Sequence, residues 1–445
     1  MFFLKPITQA ALLMLASAAY SQVSTPPIQQ PPSLGVGAPT SAVELVPAVV
    51  GYKQFLQLVQ KNNLVLAAQK SQIDIADAQI ALAALFPDPT ITTGVSAYEM
   101  SKDKLPTIST LALNFTLEGG RKRQVRTEAA QADKARAEAD FVRQMMSTQL
   151  DATQAYIDHL RAKASLRSWQ AALGTLERLE QHSQKRTEKP DGVLQAQLLA
   201  EKLRAQAEQD AASADVYISS RAMLGFAQAS ATDLKRFFEG KGDLEMPVLE
   251  GYQNRQRDGL REDVIAAQKT LDAASKREEL SRENRSLDMN FNIGVNHARA
   301  GEYLSTPFPQ SNSLIAQLTV PIPFSLRQDG DLRAASAVTA QATKQYQDVL
   351  QRAGLEAEQA QARYAAAWSQ LQKYSASAEA TARSLRSYVE QYLVNKAELG
   401  DVIVLLKLNN ESNSLRIEAQ ANHARSMAAL LAQARELSLM PFENR

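Results

Sequence analysis

LALNFTLEGGRKRQVR, residues 111–126, changes its rule of construction halfway along. From Leu111 to Leu117 large apolar residues occupy every second position, with Ala112, Asn114 and Thr116 between them. Period two marks a strand with one apolar and one polar face. Gly119 and Gly120 then open a run without proline until Pro190 and without another glycine until Gly174. Its Ala, Gln, Glu, Arg and Leu are strong helix formers. A helix from Gly120 to about Lys185 would be roughly 100 Å long at about 1.5 Å per residue.

The same succession recurs downstream. Gly94 closes a strand-like run and Gly120 opens the long helix; Gly294 and Gly330 repeat the pair. From Gly120 to Asp191 is 71 residues, and from Gly330 to Asp401 is again 71. The unit is helix, strand, loop, strand, very long helix, turn and returning helix, and a fixed period decides architecture before any single residue does. The expected fold is therefore mainly α with a small β part. It comprises a tandem repeat of long coiled-coil hairpins plus four strands. Within the first long helix, Ala132, Ala135, Ala139, Val142 and Met146 step by 3 and 4, as do Leu166, Trp169, Leu173 and Leu176. Such a seam brings neighbouring helices together, and its small residues allow close approach.

Three further segments alternate with period two. Leu287, Met289, Phe291, Ile293 and Val295 face one way in Leu287–Asn296; Leu314, Ala316, Leu318, Val320, Ile322 and Phe324 do so in Leu314–Phe324. Thr90–Tyr98 is the weakest of the set. Each approaches the ~10 residues that a tilted strand needs to cross a bilayer. An apolar side and a polar side suit a water-filled barrel in lipid, although a half-buried soluble sheet alternates in the same way. The long helical neighbours and the export signal favour the barrel. Leu113, Phe115, Leu117, Phe291, Ile293, Val295, Leu318 and Val320 are then the lipid-facing candidates. Four strands cannot close a barrel, and open edges in lipid leave backbone groups unsatisfied, so several copies must join. The arithmetic permits two, three or four copies.

Composition narrows function by exclusion. The 445 residues carry a formal net charge of +1, which favours neither nucleic acid nor anionic lipid, and contain no cysteine. Residues 1–21 read as a secretory signal peptide, with Lys5, an apolar stretch from Ala10 to Ala16 and small residues before Gln22. Residues 22–50 form a Pro- and Gln-rich extended leader. The first repeat spans 51–225, a linker 226–260, the second repeat 261–437 and a tail 438–445.

The ordered set of motifs resembles the outer-membrane efflux channel family typified by TolC. Phe86-Pro-Asp-Pro89 before the Thr90 strand is similar to the family's first helix-to-strand entry. Glu118-Gly-Gly-Arg-Lys-Arg123 with Arg126, and Val320-Pro-Ile-Pro-Phe324 with Arg327 and Gly330, resemble the two strand-to-helix corners of the heavy-metal branch typified by CzcC. The resemblance implies a homotrimer with a twelve-stranded barrel in the outer membrane and a long periplasmic tunnel of helices. It implies docking to a periplasmic adaptor and an inner-membrane pump of RND type. Many family members carry a lipidated N-terminal cysteine; this chain has none, leaving the barrel as its anchor.

No catalytic constellation, phosphate loop or metal-binding helix motif occurs, so neither enzyme activity nor a cofactor is expected. His159, His182, His297 and His423 are scattered and read as ordinary surface residues rather than metal ligands. Gly119, Gly120, Arg121, Arg123 and Gly330 mark the corners. The cations Arg121, Lys122, Arg123 and Arg126 are assigned to lipid headgroups rather than nucleic acid, with a solvated helix start as the alternative. Glu188, Asp191, Glu398 and Asp401 lie at the helix turns, the candidate periplasmic entrance. Threefold symmetry would make each a carboxylate ring; for the two aspartates, capping of the returning helices is the stronger reading.

These readings make the chain a passive outer-membrane conduit for efflux, with heavy-metal cations the favoured substrate. Drug efflux or type I secretion is the alternative within that class, and a coiled-coil scaffold without a channel the alternative outside it.

Overall fold

The structure, a computed structural model, describes residues 51–97, 107–185, 192–228, 261–303, 306–321 and 327–433. All lie within one compact unit, Val49–Arg445. The signal peptide, the leader, nearly all of the 226–260 linker and the tail lie outside the described residues, as do Glu188 and Asp191.

The element order is the repeat read from the sequence. Helices α1 (Tyr52–Asn62) and α2 (Leu64–Ala83) precede strands β1 (Thr90–Ala97) and β2 (Thr107–Leu117). Helix α3 (Lys122–Lys185) follows, with α4 (Gly192–Ala227) after it. The second half gives α5 (Glu262–Glu283), β3 (Met289–Ala298), a small pair β4 (Gly301–Tyr303) and β5 (Thr306–Phe308), β6 (Ser311–Thr319), α6 (Arg327–Leu393) and α7 (Leu399–Gln433). Asn63 separates α1 from α2, its side chain accepting from the amides of Val65 and Leu66. That N-cap bond satisfies donors that a helix start otherwise leaves orphaned.

Two sequence readings need correction. Gly94 and Gly294 do not close strands; they lie inside β1 and β3. At Gly294 a Cβ would come within 2.6 Å of the Leu111 carbonyl and the Ala112 methyl, so β2 and β3 approach closely there. Gly330 is not the counterpart of Gly120. Gly120 stands before its helix with φ +67°, whereas Gly330 lies inside α6, three residues after its start. Val320 also falls one residue beyond β6.

The long strands form one antiparallel sheet in the order β1-β2-β3-β6, leaving β1 and β6 as its edges. The helices pack as hairpins, α3 with α4 and α6 with α7, while α5 joins the halves by lying against both α3 and α6. A core near the hairpin turns draws on both: Leu176, Leu179, Leu198 and Ala205 meet Tyr392, Leu399, Val402, Ile403 and Leu406. Trp169 and Leu173 of the predicted seam pack against it, while Ala132, Ala135, Ala139, Val142 and Met146 are half-buried.

Candidate functional site

The four-stranded sheet has two chemically distinct sides. Pairing sets Ile91 opposite Leu113, Leu113 opposite Ile293, and Ile293 opposite Ala316. One row further, Leu111 faces Val295, which faces Leu314; on the other side Phe115 faces Phe291, which faces Leu318. Because side chains alternate strictly, this register collects most of the large apolar residues on one face, while Ile108 and Ile315 lie on the other. That face is uncovered: Ile91, Leu111, Ile293 and Leu314 are 71%, 53%, 49% and 75% exposed. Phe115 and Phe291 stack with ring centroids 5.2 Å apart and are half-buried by one another. An exposed apolar surface continuous across four strands marks a site of contact with lipid or protein.

The opposite face carries amides and hydroxyls tied sideways across the strands. Thr110 Oγ1 donates to Asn296 Oδ1 at 2.8 Å, Asn114 Nδ2 to Thr92 Oγ1 at 2.8 Å, and Thr116 Oγ1 to Asn290 Oδ1 at 2.6 Å. No Asp, Glu, Lys or Arg occurs in β1, β2, β3 or β6. The apolar face ends in polar residues at the hairpin tips, where His297 Nδ1 and Asn312 Oδ1 lie 2.7 Å apart.

At the other end of the sheet, the glycine corner is a clamp. Gly119 donates its amide to Asp288 Oδ1 at 3.1 Å, and Lys122 Nζ reaches the same oxygen at 2.7 Å. The Lys122 side chain is 8% exposed, so its charge is committed to this partner. Arg121 pairs with Glu279, and Arg126 with Glu118. Arg126 also donates to the Ala83 and Leu85 carbonyls, both at 2.9 Å, tying the corner to the end of α2. The Arg123 guanidinium lies 4.0 Å above the centre of the Phe86 ring. Sequence reasoning sent these cations to lipid headgroups; here three of them pair with carboxylates of the same chain. The residues it missed are two of those carboxylates, Asp288 and Glu279, because nothing in a linear sequence joins positions 122 and 288 or 121 and 279.

Of the turn carboxylates, Glu398 and Asp401 are described, and both are exposed. Helix α7 begins at Leu399, so Asp401 is not an N-cap. It sits in the first turn, where the helix dipole favours a negative charge. Asn395, with φ +59°, makes the turn after α6, and its amide donates to the Tyr392 carbonyl at 3.0 Å. His182 at the end of α3 brings Nε2 within 3.4 Å of Asn395 Oδ1, so the end of α3 lies beside the turn after α6.

Two histidines depart from the surface assignment. His159 and His423 are 2% and 0% exposed. Burial pushes the His159 imidazole down to about 3; the Lys163 charge adds to this and a backbone bond to Val216 opposes it. His423 is also pushed down, by burial alone, between the rings of Tyr364 and Trp368, each 5.2 Å away. Among the described residues no group of three or more His, Cys, Asp or Glu is placed to hold a metal ion.

Solved structures of outer-membrane channels share this fold. The Campylobacter jejuni CmeC outer membrane channel aligns with TM-score 0.69 at 14% identity, over 87% of this chain and 86% of that one. The open-state MtrE outer membrane channel of Neisseria gonorrhoeae aligns with TM-score 0.69 at 16% identity, over 89% and 94%. The outer membrane protein VceC of Vibrio cholerae aligns with TM-score 0.65 at 18% identity, over 88% and 97%. No family model and no curated protein matches the chain. The chain thus has the outer-membrane channel fold: paired helical hairpins with a small antiparallel sheet at one end.

Proposed function

We propose that this chain is the outer-membrane channel of a tripartite efflux system, a passive conduit from periplasm to exterior. The observation that carries the reading is the sheet, apolar and uncovered on one side, uncharged and hydrogen-bonding on the other. In a bilayer the first side meets acyl chains and the second lines water. The unpaired edges of β1 and β6 call for further copies, because lipid satisfies no backbone group. Three copies give twelve strands, continued into the periplasm by the helices, whose turns meet an adaptor and an inner-membrane pump of RND type. A coiled-coil scaffold gives no reason for the uncovered apolar face.

Heavy-metal cations are the proposed substrate, on the strength of the corner motifs. The pump selects the substrate; the channel supplies a path that need not bind it. The test is direct. Detergent-extracted protein should run as a trimer and conduct ions in planar bilayers, and a soluble monomer without conductance defeats the reading. In cells expressing the pump and adaptor, deleting this chain should sensitise growth to zinc, cobalt or cadmium. Sensitivity to amphiphilic drugs instead would move it to drug efflux.

A further inference from the structure

Charge is withheld from one part of this chain. Acidic and basic residues make up 22% of the sequence, yet β1, β2, β3 and β6 contain none. The sequence joining the two long strands of each hairpin carries charge only in balance: Glu99, Asp103 and Glu302 against Lys102, Lys104 and Arg299.

The polar face of the sheet has an order of its own. Thr90 lies opposite Asn114, Asn114 opposite Asn292, and Asn292 opposite Gln317, so one row of three amides and a hydroxyl crosses all four strands. The Thr116–Asn290 bond flanks this row towards the helices, and the Thr110–Asn296 bond lies beyond it towards the tips. An amide carries acceptor and donor on one neutral group, and a hydroxyl does the same. Such a lining offers oxygen to a cation and N–H or O–H to an anion. Rings of carboxylates, or of Lys and Arg, discriminate by sign and can hold what they attract. This face has neither.

We infer that the polar face sets specificity by its neutrality: it passes cations, anions and uncharged polar solutes alike, and the Thr90–Asn114–Asn292–Gln317 row is the lining that does so. The inference rests on the channel proposed above and adds which solutes its membrane segment admits. Cargo that has reached the sheet is neither retained by opposite charge nor turned back by like charge. Any preference of the whole conduit for one sign arises on the helical side of the sheet.

The chain has no cysteine, so a single introduced thiol reports alone. Outer membranes carrying Asn292→Cys are treated at about 10 mM salt, where a fixed charge is felt over about 30 Å. The reagents are the cationic trimethylammonioethyl and the anionic sulfonatoethyl methanethiosulfonate. The ratio of the two rates should match that of free 2-mercaptoethanol within about threefold, and Gln317→Cys in the same row should agree. Adding Asn114→Asp beside Asn292→Cys should favour the cationic reagent by a further fivefold or about that, and about 1 M salt should abolish the gain. A ratio more than about threefold from the free thiol in the single-cysteine variants overturns the neutrality and leaves the channel standing. A ratio that Asn114→Asp does not move overturns the part given to the row. Should Ile293→Cys, on the apolar face, react with both reagents as fast as Asn292→Cys, the channel itself fails.

Discussion

A buried histidine is a conditional choice for a helical core. His423 fills space between Tyr364 and Trp368 as an aromatic ring would, with neither ring nitrogen hydrogen-bonded among the described residues. It packs well only while neutral, because burial penalises the cation. His159 is held the same way, its Nδ1 lying 3.1 Å from Ser219 Oγ. Both have folded pKa values below the ordinary value of 6.5, so on acidification the unfolded chain takes up the proton first. Their stabilising contribution is complete above pH 6.5 and declines as pH falls from there towards the folded value, about 3 for His159. The loss approaches about 1.4 kcal/mol per pH unit for His159, and His423 adds to it in the same direction. Melting temperature should therefore fall between pH 7 and pH 4.5, and His423→Phe should flatten the slope while retaining the melting temperature at pH 7. An unchanged slope in that variant would show that His423 is not among the groups titrating. Nothing in the local sequence distinguished these two from His182 and His297, since burial here is made by helices that meet over long separations. Asp401 was misplaced for a smaller reason: the helix starts at Leu399, three residues earlier than an N-cap at Asp401 requires.

At the scale of elements, alternation was the reliable signal. Strands β2 and β3 stand within a few residues of where period two placed them, because one-residue slippage would invert both faces at once. Replacing Ile293 by Arg puts a charge on the apolar face and should cost about 2–4 kcal/mol at the bilayer midplane. Asn292→Lys, one residue away on the opposite face, should be tolerated. The comparison is read as the detergent-resistant trimer recovered from outer membranes; equal loss in both variants would mean that the apolar face does not meet lipid. The repeat was equally legible, but its ruler was wrong. Glycines suggested an offset of 210 between Gly120 and Gly330, whereas the helices themselves begin 205 apart. Four residues, 118–121, connect β2 to α3, and seven, 320–326, connect β6 to α6, so the corners differ in length. Equivalent glycines were thus expected where the turns are not equivalent. The carboxylate half of the Lys122 clamp was invisible for a related reason, since it belongs to the other repeat.

At the scale of the molecule, the two hairpins form one clasp near their turns. Leu176 and Leu179 of α3 and Leu198 of α4 share a core with Tyr392 of α6 and Ile403 and Leu406 of α7. Tyr392 also presents its ring edge-on to His182 at 5.2 Å. If the turns ring the entrance of a channel, this cluster sets how firmly one hairpin is held to the other, and hence how far the aperture opens. On that reading carboxylates at the turns would act on what enters, and the core beneath them on whether the entrance widens. Leu406→Ala removes buried methyl groups from the centre of the clasp, a change that costs about 2–5 kcal/mol in a packed core. The rest of the fold is distant, so trimer yield should hold while single-channel recordings show larger or longer openings. Glu398→Gln at the neighbouring turn should leave opening time unchanged and reduce preference for cations over anions at low salt. If both variants alter ion preference alone, the clasp is passive packing and the entrance is governed by charge.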